Sequence, residues 1–524
     1  MGHSVITKLT FLFAACCLLL WAPALAGEGG GSIKAGYIYI DEEGNRGVNH
    51  ETYNSYEGLG ISFENWRYRV NNSITLRADL RNLTLNNRNL RLSASKPGRF
   101  NISLNNNQYR RSYDFDGLQF TRRRSTGMKI SVQPYREITL FGGFGRSDKH
   151  GNSAVLLSPV ADTVYHSTDY EHSKWNLGAL AALPYGFARL EYRSSSFDDR
   201  LISNGDRKAA GINLDAHIRV PNYSWLDLSG GYYHRTDEYE SSGLELKTNQ
   251  GWGGFKLHLP KLHQVEYRLL FARTRHTGEN SETDNVVNTL AVGKAIKGYG
   301  GVRIGYENRI SDDLVDRTVS HGLLIKAWYD YQRRLFIKAS LATRKKQVKT
   351  GATLLGDEDL TRHRVTAQYR SAAWGDIRAQ WQGRFRTNDD LNSQVDYQSI
   401  SLNANLKRSE YGRVAIAYSY YMGKYENTDL NTGFEFADNV ISATLYPRSY
   451  RKTNAYIGGS YYRSRRDLDT EKFSLNFGVT YGFLKDHELE IKYNVFNFDD
   501  YLARSAYYTA NIVEINVKKA VSLD

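Results

Sequence analysis

The sequence predicts an all-β fold: a transmembrane, antiparallel, up-and-down β-barrel of about 26 strands, within roughly 22–28. Three observations predict it. Apolar and polar residues alternate with a period of two along most of the chain. Short turn-forming breaks recur at intervals that hold two strands and one longer loop. The N-terminus carries an export signal.

Lys8 is the only charged residue before an uncharged apolar run, Leu9 to Leu20. Trp21-Ala22-Pro23-Ala24-Leu25-Ala26 follows and ends in the small-x-small pattern Ala24-x-Ala26. This is the layout of a secretory signal peptide over residues 1–26, cleaved after Ala26. The run is shorter than the ~20 apolar residues that span a bilayer, which argues against an N-terminal anchor. Phe13-Ala14-Ala15-Cys16 faintly resembles a lipoprotein site, but the apolar run continues past it, and cleavage sites follow the apolar region. Both cysteines, Cys16 and Cys17, fall in the removed segment. The mature chain then has no disulfide, no thiolate metal site and no covalent c-type haem attachment, which needs Cys-x-x-Cys-His. Residues 27–31 (Gly-Glu-Gly-Gly-Gly) read as a flexible periplasmic leader, and residues 32–524 as one barrel domain.

Tyr is abundant at 38 residues, Met scarce at 3, and mean hydropathy is −0.55. No stretch beyond the signal reaches membrane-helix length, which excludes a helical membrane protein. A barrel is compatible, because lipid-facing and lumen-facing residues alternate and cancel in any window. Ile74, Leu76, Ala78 and Leu80 alternate with Thr75, Arg77 and Asp79; Ile212, Leu214, Ala216 and Ile218 alternate with Asn213, Asp215 and His217. Val265 to Phe271, Ile400 to Leu406 and Phe473 to Tyr481 repeat the pattern. Each set suits a tilted strand of roughly 9–11 residues crossing a bilayer.

Twelve tight turns punctuate the alternation. Six carry proline: Pro97, Pro134, Pro184, Pro221, Pro260 and Pro447. Proline cannot donate to a strand ladder but presets the φ of a turn. Six lack it: Asn71-Asn72, Lys297-Gly298, Gln332-Arg333-Arg334, Ala373-Trp374-Gly375, Ser409-Glu410-Tyr411-Gly412 and Leu484-Lys485-Asp486. Long polar loops are expected near Asn107–Thr126, Ser147–His172, Thr236–Asn249, Lys345–Leu360 and Gly423–Asp438. Twelve turns join 24 strands; one more precedes them near Ser32–Ile40 and one follows near Ser505–Val517. Short turns on one side and long loops on the other match periplasmic and extracellular connections. Tyr, Trp and Phe near strand ends (Trp66, Tyr68, Tyr232, Tyr233, Tyr418, Tyr420, Tyr461, Tyr462) read as interfacial girdles. A soluble propeller has repeats of similar length but fits four strands where only two fit here. Closure follows, since backbone polar groups in lipid must all be paired.

Motifs for chemistry are few. Gly142-Gly143-Phe144-Gly145 and Gly298-Tyr299-Gly300-Gly301 do not complete a dinucleotide fingerprint. His166 and His172, near Asp162, Asp169 and Glu171, lack tight ligand spacing and read as a solvated loop. Gly356-Asp357-Glu358-Asp359 lacks a full calcium loop. No catalytic, cofactor-binding or metal residue is therefore assigned. No enzyme is expected, and no nucleic-acid partner.

Charge says more. The formal net charge is +13, falling by one when Lys8 is removed. Arg67 and Arg69 sit at alternating strand positions, while Arg122-Arg123-Arg124 and Arg463-Ser464-Arg465-Arg466 read as clusters at turns and loops. Strand arginines facing lipid cost about 2–4 kcal/mol at midplane, so they are placed in the lumen. A basic lumen favours anions or an acidic partner. The simpler reading has these charges keep the lumen wet while those on loops meet lipopolysaccharide phosphates.

Barrels of about 16–18 strands already leave an aqueous channel, and about 26 imply an occupant or a large substrate. With the first strand near Ser32, no separate plug domain is expected. The plan resembles the MtrB/PioB family, the porin sheaths of outer-membrane porin–cytochrome conduits. Similar local patterns are Gly36-Tyr37-Ile38-Tyr39 and Leu92-Ser93-Ala94-Ser95-Lys96-Pro97-Gly98-Arg99-Phe100-Asn101-Ile102-Ser103-Leu104 with its early hairpin. The chain departs from that family in lacking a Cys-x-x-Cys near the mature N-terminus, and in ending Ser522-Leu523-Asp524 rather than on an aromatic. The resemblance implies a cell-outer-membrane barrel that insulates a multihaem c-type cytochrome for extracellular electron transfer. Haem would be borne by periplasmic and extracellular cytochrome partners, not by the barrel. The alternative is a large porin for bulky or anionic solutes.

Overall fold

The computed structural model describes residues 27–44, 56–70, 73–112, 120–156, 163–201, 205–277, 281–296, 298–313, 316–350, 356–409, 412–502 and 507–523. The expected signal peptide lies outside them. In chain order the strands are β1 (Gly27–Gly44), β2 (Gly58–Val70), β3 (Ile74–Arg81), β4 (Asn89–Lys96), β5 (Phe100–Ser112), β6 (Phe120–Tyr135), β7 (Ile138–Leu156), β8 (Thr163–Leu183) and β9 (Gly186–Asp199). Next come β10 (Arg207–Arg219), β11 (Leu226–Tyr239), β12 (Leu244–Leu259), β13 (His263–Thr277), β14 (Ser281–Ile296), β15 (Gly300–Asp312), β16 (Arg317–Tyr331) and β17 (Leu335–Thr350). The series ends with β18 (Glu358–Ser371), β19 (Gly375–Asn388), β20 (Ser393–Ser409), β21 (Gly412–Asn427), β22 (Thr432–Pro447), β23 (Thr453–Arg466), β24 (Thr470–Leu484), β25 (His487–Asp500) and β26 (Tyr508–Leu523).

Every strand pairs antiparallel with its sequence neighbours, and β1 also pairs with β26, from Gly29↔Leu523 to Gly44↔Tyr508. The sheet is therefore closed and has no free edge. Nine of the twelve expected turns lie within the described residues and join an even strand to the next odd one, at the end where β1 begins and β26 finishes; Asn71-Asn72, Lys297 and Glu410-Tyr411 lie outside the described residues. Among the described residues no helix is long and apolar enough to cross a membrane; the strands do the crossing.

Strand parity, carried through the pairing register, assigns each side chain to a face. Leu190, Leu214 and Tyr232 lie side by side on the outer face, as do Phe255 and Tyr267, and Ile400 and Tyr420. The intervening residues, such as Arg189, Asp215 and Gly231, face the lumen. This wall is one layer thick, so few side chains are buried. One apolar cluster, Leu80, Leu90 and Leu92 with Phe63 and Leu104, lies on the outer face of β2–β5. A second, Tyr508, Ala510 and Ile512 with Ile38, Ile40, Phe496 and Phe498, lies on the lumen face where β25, β26 and β1 close the ring.

Three expectations need correction. The polar stretches expected as long loops are largely strand: β7 and β8 stay paired to Leu156↔Thr163, β11 and β12 to Tyr239↔Leu244, β21 and β22 to Asn427↔Thr432. Above the lipid both faces of a hairpin meet water, so the ladder continues without apolar alternation to mark it. Second, the leader expected over 27–31 belongs to β1 and pairs with β2 and β26. Its glycines make room for aromatic rings. A Cβ on Gly31 would lie 2.6 Å from the Trp66 ring, and one on Gly29 2.7 Å from Tyr68. Trp66 Nε1 donates to the Ser32 carbonyl at 3.1 Å, and a bulge at Asn65 (φ 57°) sets both rings outward. Third, Tyr233 and Tyr462 face the lumen, opposite Asn213 and Lys472, so the girdle keeps only Tyr232 and Tyr461 from those two pairs.

Candidate functional site

The candidate site is the lumen. Strands spaced 4.7–4.9 Å apart and tilted by about 40° enclose, at this strand number, a ring roughly 50 Å across between backbones. Among the described residues every strand belongs to the wall and none to a plug.

The wall differs in charge from sector to sector. Along β8–β12 three carboxylates are each clamped by two basic side chains. Glu191 accepts hydrogen bonds from Arg189 at 2.7 Å, Arg193 at 2.8 Å and Asn176 Nδ2 at 2.9 Å. Asp237 binds Arg207 and Arg235; Asp227 binds Arg219 at 2.8 Å and His258 at 2.9 Å. In this sector the clamped carboxylates offset part of the positive charge and hold the wall in register. The Glu191 side chain is 3% exposed, while its two arginines are 39% and 59% exposed. Glu191→Gln is therefore expected to cost about 2 kcal/mol, the scale of charge-assisted hydrogen bonds and below that of a fully buried pair. Urea unfolding from lipid vesicles measures it; an unchanged midpoint would show the clamp to be ornamental.

In two other sectors arginines have no ion-paired acid among the described residues. On β2 and β3, Arg67 and Arg77 stand directly opposite each other, with Arg69 beside them. On β18 and β19, Arg362 and Arg384 are likewise directly opposed, with Arg364, Lys338 and Arg378 on the same face. Like charges directly opposite are destabilising. The nearby acids are engaged elsewhere: Asp79 with Arg81, Glu358 with Arg344 and Arg386, Asp376 with Arg370. Arg364 and Arg378 hydrogen-bond only to Gln382 and Gln380 among the described residues. The two sectors lie about ten strands apart by the shorter way round the ring. Between them β20–β24 present hydroxyls and amides, including Ser401, Asn403, Ser419, Ser442, Ser460 and Asn476. The arrangement offers two basic walls and a neutral one to an anionic surface.

The weaker motifs of the sequence disperse. His172 faces the lumen on β8, while Glu171 and Asp169 face outward; the side chain of His166 lies outside the described residues. Of the Gly356-Asp357-Glu358-Asp359 carboxylates, Glu358 turns to luminal arginines, Asp359 lies 3.8 Å from Lys345 on the outer face, and Asp357 accepts the Val348 N–H. Among the described residues no three metal-ligating side chains converge. Arg67 and Arg69 line the lumen as expected. Arg122, Arg123 and Arg124 are not loop residues but alternate outward, inward and outward along β6.

A feature not anticipated marks the upper rim of the apolar band. Tyr232, Tyr267, Tyr418 and Tyr493 each donate to an asparagine on the next strand, Asn249, Asn288, Asn439 and Asn511, at 2.8–3.2 Å. Tyr306 meets His321 the same way at 2.6 Å. Each tyrosine reaches the residue diagonally above its direct partner, its ring in the band and its hydroxyl in the polar zone. The spacing is invisible without the register. Around the turns, Tyr135, Tyr185, Tyr299, Trp374 and Tyr450 form the opposite girdle, all strongly exposed.

A closed sheet with an apolar outer band, two aromatic girdles and a polar interior is an outer-membrane β-barrel. The same fold is found in outer-membrane receptors. A mutant of the ferric enterobactin receptor PfeA from Pseudomonas aeruginosa is similar at TM-score 0.53 and 9% identity, over 95% of this chain and 80% of that one. The siderophore receptor PirA from Acinetobacter baumannii is similar at TM-score 0.52 and 10% identity, over 95% and 81%. At such identities the likeness concerns the fold alone. No family model and no curated sequence matches the chain.

Proposed function

We propose that this barrel sheaths a multihaem c-type cytochrome and so lets electrons cross the outer membrane between periplasmic and extracellular haem proteins, as in the MtrB/PioB plan. The supporting observation is a roughly 50 Å ring with no plug among its own described strands and with opposed luminal arginines that have no ion-paired acid among the described residues. Even after side chains are subtracted, the space admits a compact chain of ~100 residues, whose radius of gyration is about 13 Å. The partner carries the haem; the mature chain has no cysteine to attach one. A sheath needs an insulating wall and a complementary surface, and the bare arginines suit acidic faces on the cytochrome. The same arginines favour one other reading, a wide porin for bulky anionic solutes. Purification from the native host in mild detergent, followed by a haem stain and single-channel recording, separates them. The expected result is co-purified c-type haem and a blocked lumen. A haem-free, highly conductive, anion-selective pore would overturn the sheath.

A further inference from the structure

Outward charges above the apolar band are mostly paired. Lys208 meets Glu240, Lys247 meets Glu245, Arg273 meets Asp284 and Arg275 meets Glu282. Over β4–β6, Arg88 and Arg122 depart from this. Parity carried up from Leu104 and Met128 puts Arg110, Arg122 and Arg124 on the outer face, with Arg110 and Arg122 directly opposed. Arg88 joins them just before β4, where its carbonyl accepts the Gln108 N–H at 2.9 Å. Among the described residues the carboxylate ion-paired with Arg88, Arg122 or Arg124 is Asp148 alone, 3.2 Å from Arg124.

These guanidiniums are sheltered as well as crowded. Arg88 is 7% exposed, and the Nε atoms of Arg88 and Arg122 are buried without a hydrogen bond. Burial first, then Arg124 and Arg122, holds the Arg88 pKa below its ordinary value. One buried guanidinium clustered with two half-buried ones calls for an anion. Arg124 stands four residues beyond Met128, about 10 Å above the last apolar side chain at the usual rise and tilt. That is headgroup height on the extracellular side.

We propose that Arg88, Arg122 and Arg124 form a binding site for the phosphate of a phosphorylated lipid headgroup in the outer leaflet. Guanidiniums grip phosphate in a forked, charge-assisted geometry, and the anion relieves their mutual repulsion. The site is on the outside of the wall and independent of what fills the lumen.

Purified barrel, stripped of lipid, is titrated with bis-phosphorylated lipopolysaccharide, with its enzymatically dephosphorylated form, and with inorganic phosphate, and bound lipid is counted by native mass spectrometry. Arg122→Gln with Arg124→Gln is expected to weaken lipopolysaccharide binding at least about tenfold, and removal of the lipid's phosphates to weaken wild-type binding similarly. The paired-sector control, Arg273→Gln with Arg275→Gln, should bind as wild type. Heat-modifiable gel mobility checks folding, and these two arginines are less buried than Arg88, so the barrel should survive their loss. Equal binding of the dephosphorylated lipid, or an unaffected double variant, overturns the proposal. So does inorganic phosphate binding as tightly as the lipid, which would mark a free-anion site instead.

Discussion

Replacing both opposed luminal pairs with acids, as Arg67→Glu, Arg77→Glu, Arg362→Glu and Arg384→Glu together, is expected to reduce retained c-type haem at least about a hundredfold. Each pair places two guanidiniums at directly opposed positions, an arrangement that raises the energy of the empty wall. An acidic surface in the lumen turns that repulsion into attraction. Close charge pairs across interfaces couple by about 1.5–7 kcal/mol, so losing two sites at the lower bound removes ~3 kcal/mol, over a hundredfold in affinity. The four side chains are exposed to the lumen, so heat-modifiable mobility should still report a folded barrel. The neutral glutamine version should fall between, and wild-type retention should weaken as salt is raised, since these charges sit in water. Haem stain per barrel, at several ionic strengths, is the measurement. A charge-reversed barrel that keeps its haem would falsify an electrostatic fit. If no haem is present at all, the same variant should turn an anion-preferring channel toward cations.

Strand number and the faces of single strands are legible in the sequence; contacts between strands are not. The strand number was legible because each periplasmic turn breaks an alternating run, as Pro221-Asn222-Tyr223 does between β10 and β11. The face of Arg67 was legible too, since its neighbours Trp66 and Tyr68 claim the lipid side. What the sequence hides is everything that depends on the partner strand. Arg362 and Arg384 lie far enough apart in the chain that only the register shows them opposed. The tyrosine–asparagine contacts need the same knowledge, because each links a residue to the diagonal neighbour of its partner. The hairpin extensions were missed for a different reason. Arg122, Arg123 and Arg124 have water or headgroups on both sides, so no hydrophobic period betrays the strand that carries them. The glycines before Ser32 look like a linker until Trp66 and Tyr68 are seen packed over them.

The assignment of faces can itself be tested by moving one charge by one residue. Leu214 lies on the outer face of β10, 44% exposed, between Ile212 and Ala216, with Leu190 and Tyr232 beside it. Leu214→Arg puts a guanidinium near the middle of the apolar band and is expected to cost about 2–4 kcal/mol. Asn213, the preceding residue, faces the lumen opposite Glu191 and Tyr233, and its amide donates to Asp215 at 2.6 Å. Asn213→Arg leaves the new charge in water near carboxylates, so the change should stay within about 0.5 kcal/mol, as for an ordinary surface substitution. Urea unfolding from lipid vesicles reads both, provided the slope is unchanged. Because strand, depth and introduced side chain are nearly the same, the difference between the two variants isolates the solvent each face meets. Equal costs would mean that period-two alternation does not divide lipid from lumen here, and the luminal placement of Arg67, Arg77, Arg362 and Arg384 would fall with it.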